Sequence, residues 1–226
     1  MKVIFLSCLF TLSVGLSVGA QTPAKAPPAT TVHRKPLMLN PAVAKAKAPE
    51  TYRAKFTTSK GVFVVEVTRA WAPLGADRFY NLVKGGYFDG APFYRVISNF
   101  MVQFGFSPSP AVSKAWDKAT IKDDPVKQSN KRGYITFATS GPNSRTTQVF
   151  INYKDNGGLD SQGFAPFGTV VEGMEVVDNF YKGYGDGADM GGRGPTQSNL
   201  ANQGIAYVKK SFPNMDTIIS AEIVTK

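Results

Sequence analysis

Cysteine and histidine are nearly missing from this chain. Cys8 and His33 are the single representatives of each in 226 residues, and both precede the part that looks foldable. Their scarcity removes whole chemistries. A disulfide needs two thiols, and a zinc site of the cysteine kind needs several. A histidine base, a hydrolase triad or a multi-histidine metal site needs imidazoles within the folded region. Those metal sites are therefore excluded, and no metal or cofactor is expected.

Long hydrophobic runs are scarce too. The one that exists, residues 3–18, follows Lys2 and carries no charge. It falls short of the about 20 apolar residues expected of a membrane-spanning helix. It leads into Val18-Gly19-Ala20, a small-residue pattern suited to cleavage after Ala20. Residues 1–20 thus read as a signal peptide, with a membrane anchor as the other reading, and Cys8 comes too soon after Lys2 to be the modified residue of a lipoprotein. The cleaved chain is expected to be exported, periplasmic or extracellular, with no membrane span. It would hold no cysteine, so its stability must come from its core.

Acidic residues are outnumbered, 16 against 26 basic ones, for a formal charge of +10. The surplus is unevenly placed. Lys2 supplies +1, residues 21–50 supply +4 from five basic residues and one acid, and residues 51–226 supply +5 from 20 basic and 15 acidic. Residues 21–50 are rich in Ala, Pro and Lys and read as a disordered linker that cannot bury enough apolar surface to offset ordering. Electrostatic attachment to an anionic envelope surface is the other reading of their charge. The folded part shows no basic stripe interleaved with aromatics, which argues against nucleic acid.

What remains, residues 51–226, is one domain's worth of sequence. Apolar Phe63, Val65 and Val67 alternate behind a turn at Ser59-Lys60-Gly61, so a hairpin is expected with strands up to Thr57 and over 62–68. Pro73 suits a first helical turn, Ala76, Phe79, Tyr80 and Val83 recur at helical spacing, and Gly85-Gly86 stops that helix. Short strands are expected on either side of Ser98-Asn99, then at 133–138, 147–152, 167–171 and 217–224, the last pairing with the first. A second helix fits 172–181, with Met174, Val177 and Tyr181 on one stripe, and a further one is possible around 206–212. Residues 107–132 read as a long surface excursion with one helical turn near Trp116. The glycine-rich stretch 184–199 ends in no Gly-Lys-Ser/Thr, and Asp186 and Asp189 lack the spacing of a calcium loop, so it reads as a plain surface loop.

The run FYRVISNFMVQFGF, residues 93–106, sets Arg95 among aromatic and sulfur-bearing side chains, with Gln103 shortly after. One fixed cation over an apolar hollow suits a neutral, apolar substrate that needs one strong donor, and a proline in a peptide fits that description. The same run resembles the cyclophilin signature of Phe-x-Arg-x-Ile followed by Phe-Met-x-Gln. Two further blocks, ITFATSGPNSRTTQVFIN at 135–152 and LDSQGFAPFGTVVEGMEVVDNF at 159–180, resemble the family's later elements in the family's order.

Cyclophilins are peptidyl-prolyl cis/trans isomerases. The resemblance implies a mainly β fold, a closed eight-stranded antiparallel barrel capped by two helices, acting as a monomer on proline-containing polypeptides. It implies that Arg95 donates to the prolyl nitrogen and that Gln103 bonds the carbonyl that swings. Phe100, Met101, Phe150 and Leu159 match the family's proline pocket, and Ala138, Thr139 and Gln148 match its peptide groove. The match is imperfect in places. Phe104-Gly105-Phe106 stands where the family commonly has Gly-Gly-Asp, making the pocket edge more apolar. Gly158 stands where an aromatic residue often precedes Leu159, and Gly163-Phe164 falls where the family has a histidine, with Phe164 offering apolar surface in its stead. A barrel that keeps the groove without turnover, as a scaffold or holdase, is the alternative.

Overall fold

The computed structural model of the protein describes residues 39–224. The expected signal peptide, Cys8, His33 and the linker as far as residue 38 lie outside the described residues. Alternation builds the first hairpin. In β1 (Thr51–Thr58) Tyr52, Ala54, Phe56 and Thr58 are buried in turn, and β2 (Gly61–Thr68) pairs with it from Thr58↔Gly61 to Thr51↔Thr68. Phe56 lies opposite Phe63 with the two rings stacked at 4.9 Å. Stacked aromatics in a dry core add attraction beyond their buried area.

Six more strands complete one antiparallel sheet: β3 (Arg95–Ile97), β4 (Met101–Phe104), β5 (Tyr134–Phe137), β6 (Val149–Asn152), β7 (Pro166–Glu172) and β8 (Ile218–Val224). Their order is β3-β4-β6-β5-β7-β2-β1-β8, and β8 lies beside β1 as expected. The end strands β3 and β8 share no ladder. The chain just before β3 meets the start of β8 through one bridge, Pro92↔Thr217, and through Phe93 N–H donating to the Asp216 carbonyl at 3.0 Å. The expected closed barrel is therefore corrected to an open eight-stranded antiparallel sheet, whose end strands share no ladder and, among the described residues, are linked only where residues 90–93 bond residues 216–218. Part of the reason is that the outer edge of β3 is taken elsewhere: Val96 N–H donates to the Gly185 carbonyl at 3.1 Å.

The helices depart further from expectation, since four α-helices stand among the described residues in place of two caps. α1 (Pro73–Lys84) buries Phe79 and Leu82 against the sheet, with Phe79 5.0 Å from Phe167. Its N-cap, Ala72, has no capping side chain. Asp124 does that work from the 107–132 excursion, accepting from the Leu74 and Gly75 N–H groups at 3.0 and 2.8 Å. The excursion is thus anchored inward. It carries α2 (Pro110–Trp116), whose Trp116 is buried, and Asn130, also fully buried. α3 (Met174–Asp178) is shorter than the helix expected over 172–181. Its end lets Phe180, and not Tyr181, turn inward to stack on Phe93 at 3.9 Å. α4 (Gln197–Ser211) begins well before the expected 206 because Thr196 caps it, accepting from Asn199 N–H. Gly204 kinks it with φ 59°, which interrupts the spacing on which the sequence reading relied.

Contacts with the domain are also made by residues before 51, inside the expected linker. Asn81 in α1 exchanges two hydrogen bonds with the backbone of Ala46, and Ala48 N–H donates to Asp77 at 2.8 Å. Ala48 is buried beneath these contacts. An Ala-rich segment can lie close to a helix that offers it polar partners, a feature composition does not reveal.

Candidate functional site

In β4 the pleat divides neighbouring side chains. Val102 and Phe104 enter the core, whereas Met101 and Gln103 line an open recess of about 370 Å³. Strand pairing supplies the rest of this wall. Arg95 stands opposite Gln103 in β3, and Phe150 stands opposite it in β6. Phe100 is fixed from behind, since its carbonyl accepts from Tyr153 N–H and from Asn156 Nδ2, each at 2.9 Å.

The far wall comes from a 3-10 helix at Gly157–Gln162, which contributes Leu159, and from Phe164, edge-on to Phe150 with centroids 5.7 Å apart. Buried Asn130 secures this wall. Its amide donates to Asp160 at 2.8 Å and to the Phe164 carbonyl at 2.9 Å. Ala138 sits at the edge with its N–H donating to the Gln148 carbonyl, and Thr139 closes the turn that follows by bonding Ser144 and the Gly141 carbonyl.

All ten residues expected from the sequence therefore line one recess: Arg95, Phe100, Met101, Gln103 and Ala138, together with Thr139, Gln148, Phe150, Leu159 and Phe164. Two of the expected edge features are placed differently. Phe104 is not at the edge, because the pleat turns it inward against Phe56, Phe88 and Phe93. Phe106 lies edge-on to Tyr94 at 5.1 Å and lines an adjoining recess of about 520 Å³ between α2 and α4. The space beside Gly158 is open, with no aromatic wall.

The polar groups form one line. Arg95 Nη1 donates to Gln103 Oε1 at 3.0 Å, Gln103 Nε2 donates to Gln148 Oε1 at 3.0 Å, and the buried Tyr94 hydroxyl donates to the same Gln148 oxygen. Burial pushes the Tyr94 phenol well above its ordinary pKa, so it remains a donor. On its other edge Arg95 meets Asp186, with Nε to Oδ1 at 2.6 Å and Nη2 to Oδ2 at 2.9 Å. Partial burial of Asp186 works against its ionisation, but the Arg95 bond and the Gly187 N–H outweigh it and hold the carboxyl below the usual range.

Sequence reasoning missed Tyr94 and the lining residues Asp117, Ser140, Ser144 and Thr146, and it missed Asp186, Met190 and Gln197 as well. The last three come from the stretch read as a plain loop. The available signal was its density of glycine, more than a turn requires.

Comparison with known proteins points to one family. The family model described as cyclophilin type peptidyl-prolyl cis-trans isomerase/CLD matches residues 53–200. A peptidyl-prolyl cis-trans isomerase of Acinetobacter baylyi is 36% identical over 151 residues, covering 64% of this chain and 80% of that protein. Another, from Streptomyces antibioticus, is 35% identical over 145 residues, covering 61% of this chain and 87% of its own. Among solved structures, a Cryptosporidium parvum cyclophilin type isomerase superposes with a TM-score of 0.55 at 18% identity, covering 78% of this chain and 99% of that one. A second crystal structure of that protein was obtained in the presence of the dipeptide Ala-Pro.

Proposed function

The chain belongs to the cyclophilin-type peptidyl-prolyl cis/trans isomerases, and we propose that it turns X-Pro bonds by donating from Arg95 to the prolyl nitrogen of a peptide held in the 370 Å³ recess. Rotation about an X-Pro bond breaks no covalent bond. It must overcome lost amide resonance, a barrier of about 18–20 kcal/mol, so the unaided event takes tens to hundreds of seconds. As the amide twists, its nitrogen regains a lone pair and becomes an acceptor. A donor placed at that nitrogen binds the twisted form better than either planar one, and such differential binding is catalysis.

The observation that carries this reading is the placement of one guanidinium beside apolar Phe100, Met101, Phe150, Leu159 and Phe164. Those side chains hold the proline ring, and Gln103, already bonded to Arg95, bonds the carbonyl that swings. Ala138, Thr139 and Gln148 receive the extended peptide. A neighbour crystallised with Ala-Pro supports a short proline peptide as the occupant.

The client class we propose is exported polypeptides, on the strength of the apolar run at residues 3–18. A mature chain whose mass begins at Gln21 checks that step. For the chemistry, Arg95→Ala should lower kcat/KM on a proline peptide by about a hundredfold or more, the scale of losing one transition-state donor, while peptide affinity changes far less. Wild-type turnover in that variant removes the assignment. Peptide binding with no turnover in the wild type would instead favour a scaffold or holdase.

A further inference from the structure

The glycine-rich stretch after α3 follows the last of the sequence blocks that carry the family resemblance, yet Met190 and Gln197 of it line the recess and Asp186 meets Arg95. From its geometry we infer that Asp186 is a positioning residue for catalysis, holding the Arg95 guanidinium in the orientation that presents its remaining N–H groups to the substrate. The inference rests on the role proposed above for Arg95.

Three observations carry it. The first is the contact itself, a two-point pairing of one carboxylate with Nε and Nη2. A guanidinium has five N–H groups. Asp186 takes two and Gln103 takes one, so two are left by these contacts for a ligand. Two-point pairing fixes the plane of the group as well as its place, which a single bond does not. Its two side chains are 18% and 24% exposed, so the pair is shielded from water more than an ordinary surface ion pair.

The second is how the segment is attached. Val96, the neighbour of Arg95 in β3, donates its N–H to the Gly185 carbonyl at 3.1 Å. The residue before Asp186 is thereby tied to the strand that carries the arginine. The segments that carry the carboxylate and the guanidinium are therefore neighbours through backbone.

The third accounts for the glycines. Gly187 and Gly194 form a parallel bridge, Gly194 N–H donates to the Asp186 carbonyl at 2.8 Å, and Gly187 N–H donates to the Asp186 side chain at 2.8 Å. A Cβ at Gly192 or Gly194 would come within 2.1 or 2.8 Å of the Asp186 carbonyl oxygen. Backbone packed this closely on backbone admits no side chain, and its result is one aspartate held in a fixed attitude. Pre-oriented donors lower a barrier because they need not reorganise as charge develops.

The test compares Asp186→Asn, Asp186→Glu, Gly194→Ala and Arg95→Ala in the folded chain. Peptide dissociation constants are measured by titration, and cis/trans exchange of saturating peptide on the enzyme by NMR exchange spectroscopy. Asp186→Asn should slow on-enzyme exchange about tenfold, with the dissociation constant moving less than about threefold, and Asp186→Glu should recover exchange to within about threefold of wild type. Gly194→Ala, which displaces the aspartate without altering it, should reproduce the loss and serves in place of Asp186→Asn should that variant not fold. Exchange at or above the wild-type rate in Asp186→Asn, or a loss that appears wholly in affinity, overturns the inference. If Arg95→Ala is inactive while Asp186→Asn is unchanged, only this inference fails; if Arg95→Ala retains full activity, the donor assignment itself fails.

Discussion

Behind Arg95, Gln148 Oε1 accepts from both Gln103 and Tyr94, and Gln103 spends its own oxygen on the arginine. The two donors to that oxygen are not equivalent. Removing the Tyr94 hydroxyl leaves Gln148 with Gln103, and no buried polar atom in the line is orphaned. Removing the Gln103 amide frees Arg95 Nη1 and takes away the group proposed to bond the swinging carbonyl. Tyr94→Phe should therefore cost about 0.5–1.5 kcal/mol in urea unfolding with a modest loss of turnover. Gln103→Leu should reduce kcat/KM more, by about tenfold or beyond. Peptide assays and denaturant titrations on the pair check the order. The identities of Arg95 and Gln103 were legible in the sequence because their spacing is local; the bond to Gln148 joins β4 to the chain before β6 and is a product of pairing.

Among the elements, β4 and its continuation show how closely site and core are joined. Gly105 follows Phe104 with φ 125°, and a Cβ there would lie 2.5 Å from the Thr147 carbonyl oxygen and 2.6 Å from Gln148 Cα. Both obstacles are backbone, so nothing flexible can give way. Gly105→Ala should destabilise the fold by about 2–4 kcal/mol and disturb Gln148, which thermal melts and peptide binding on one preparation measure together. The strands were legible because alternation and short turns are local signals. The helices were less so, since α1 borrows its cap from Asp124, α4 is interrupted at Gly204, and the end of α3 is set by where Phe180 packs.

For the molecule as a whole, acid is the informative stress. Asp77, Asp160 and Asp186 each have a lowered pKa: burial works against ionisation, and hydrogen bonds from Arg69 and Ala48, from Ser129 and Asn130, and from Arg95 and Gly187 respectively outweigh it. A carboxyl whose folded pKa is lower than its unfolded one contributes stability that is complete above the unfolded value and fades as pH drops through the folded one. The melting temperature should hold above about pH 4 and fall steeply below it. Asp77→Asn should lower the plateau and flatten the acid limb, as calorimetry against pH would reveal. An unchanged acid limb in that variant refutes this account. The contacts of Asp77 tie α1 to Arg69 and to the segment before Thr51, so the same titration reports on whether that segment stays docked.

By itself the sequence, with the family resemblance its motifs carry, pointed to the chemistry left open to this protein and to ten residues of the recess. One arginine in an aromatic run and no thiol or imidazole in the folded part are written locally, whereas the facing of Phe104 into the core became plain only with the strand pairing. Tertiary structure alone decided what holds that arginine. Asp186 is far from Arg95 along the chain, inside a stretch whose composition says only loop, and it becomes part of the site because Gly185 docks on the free edge of β3. Local patterning dictates which way a side chain faces, whereas the closure of long loops dictates which distant group it meets.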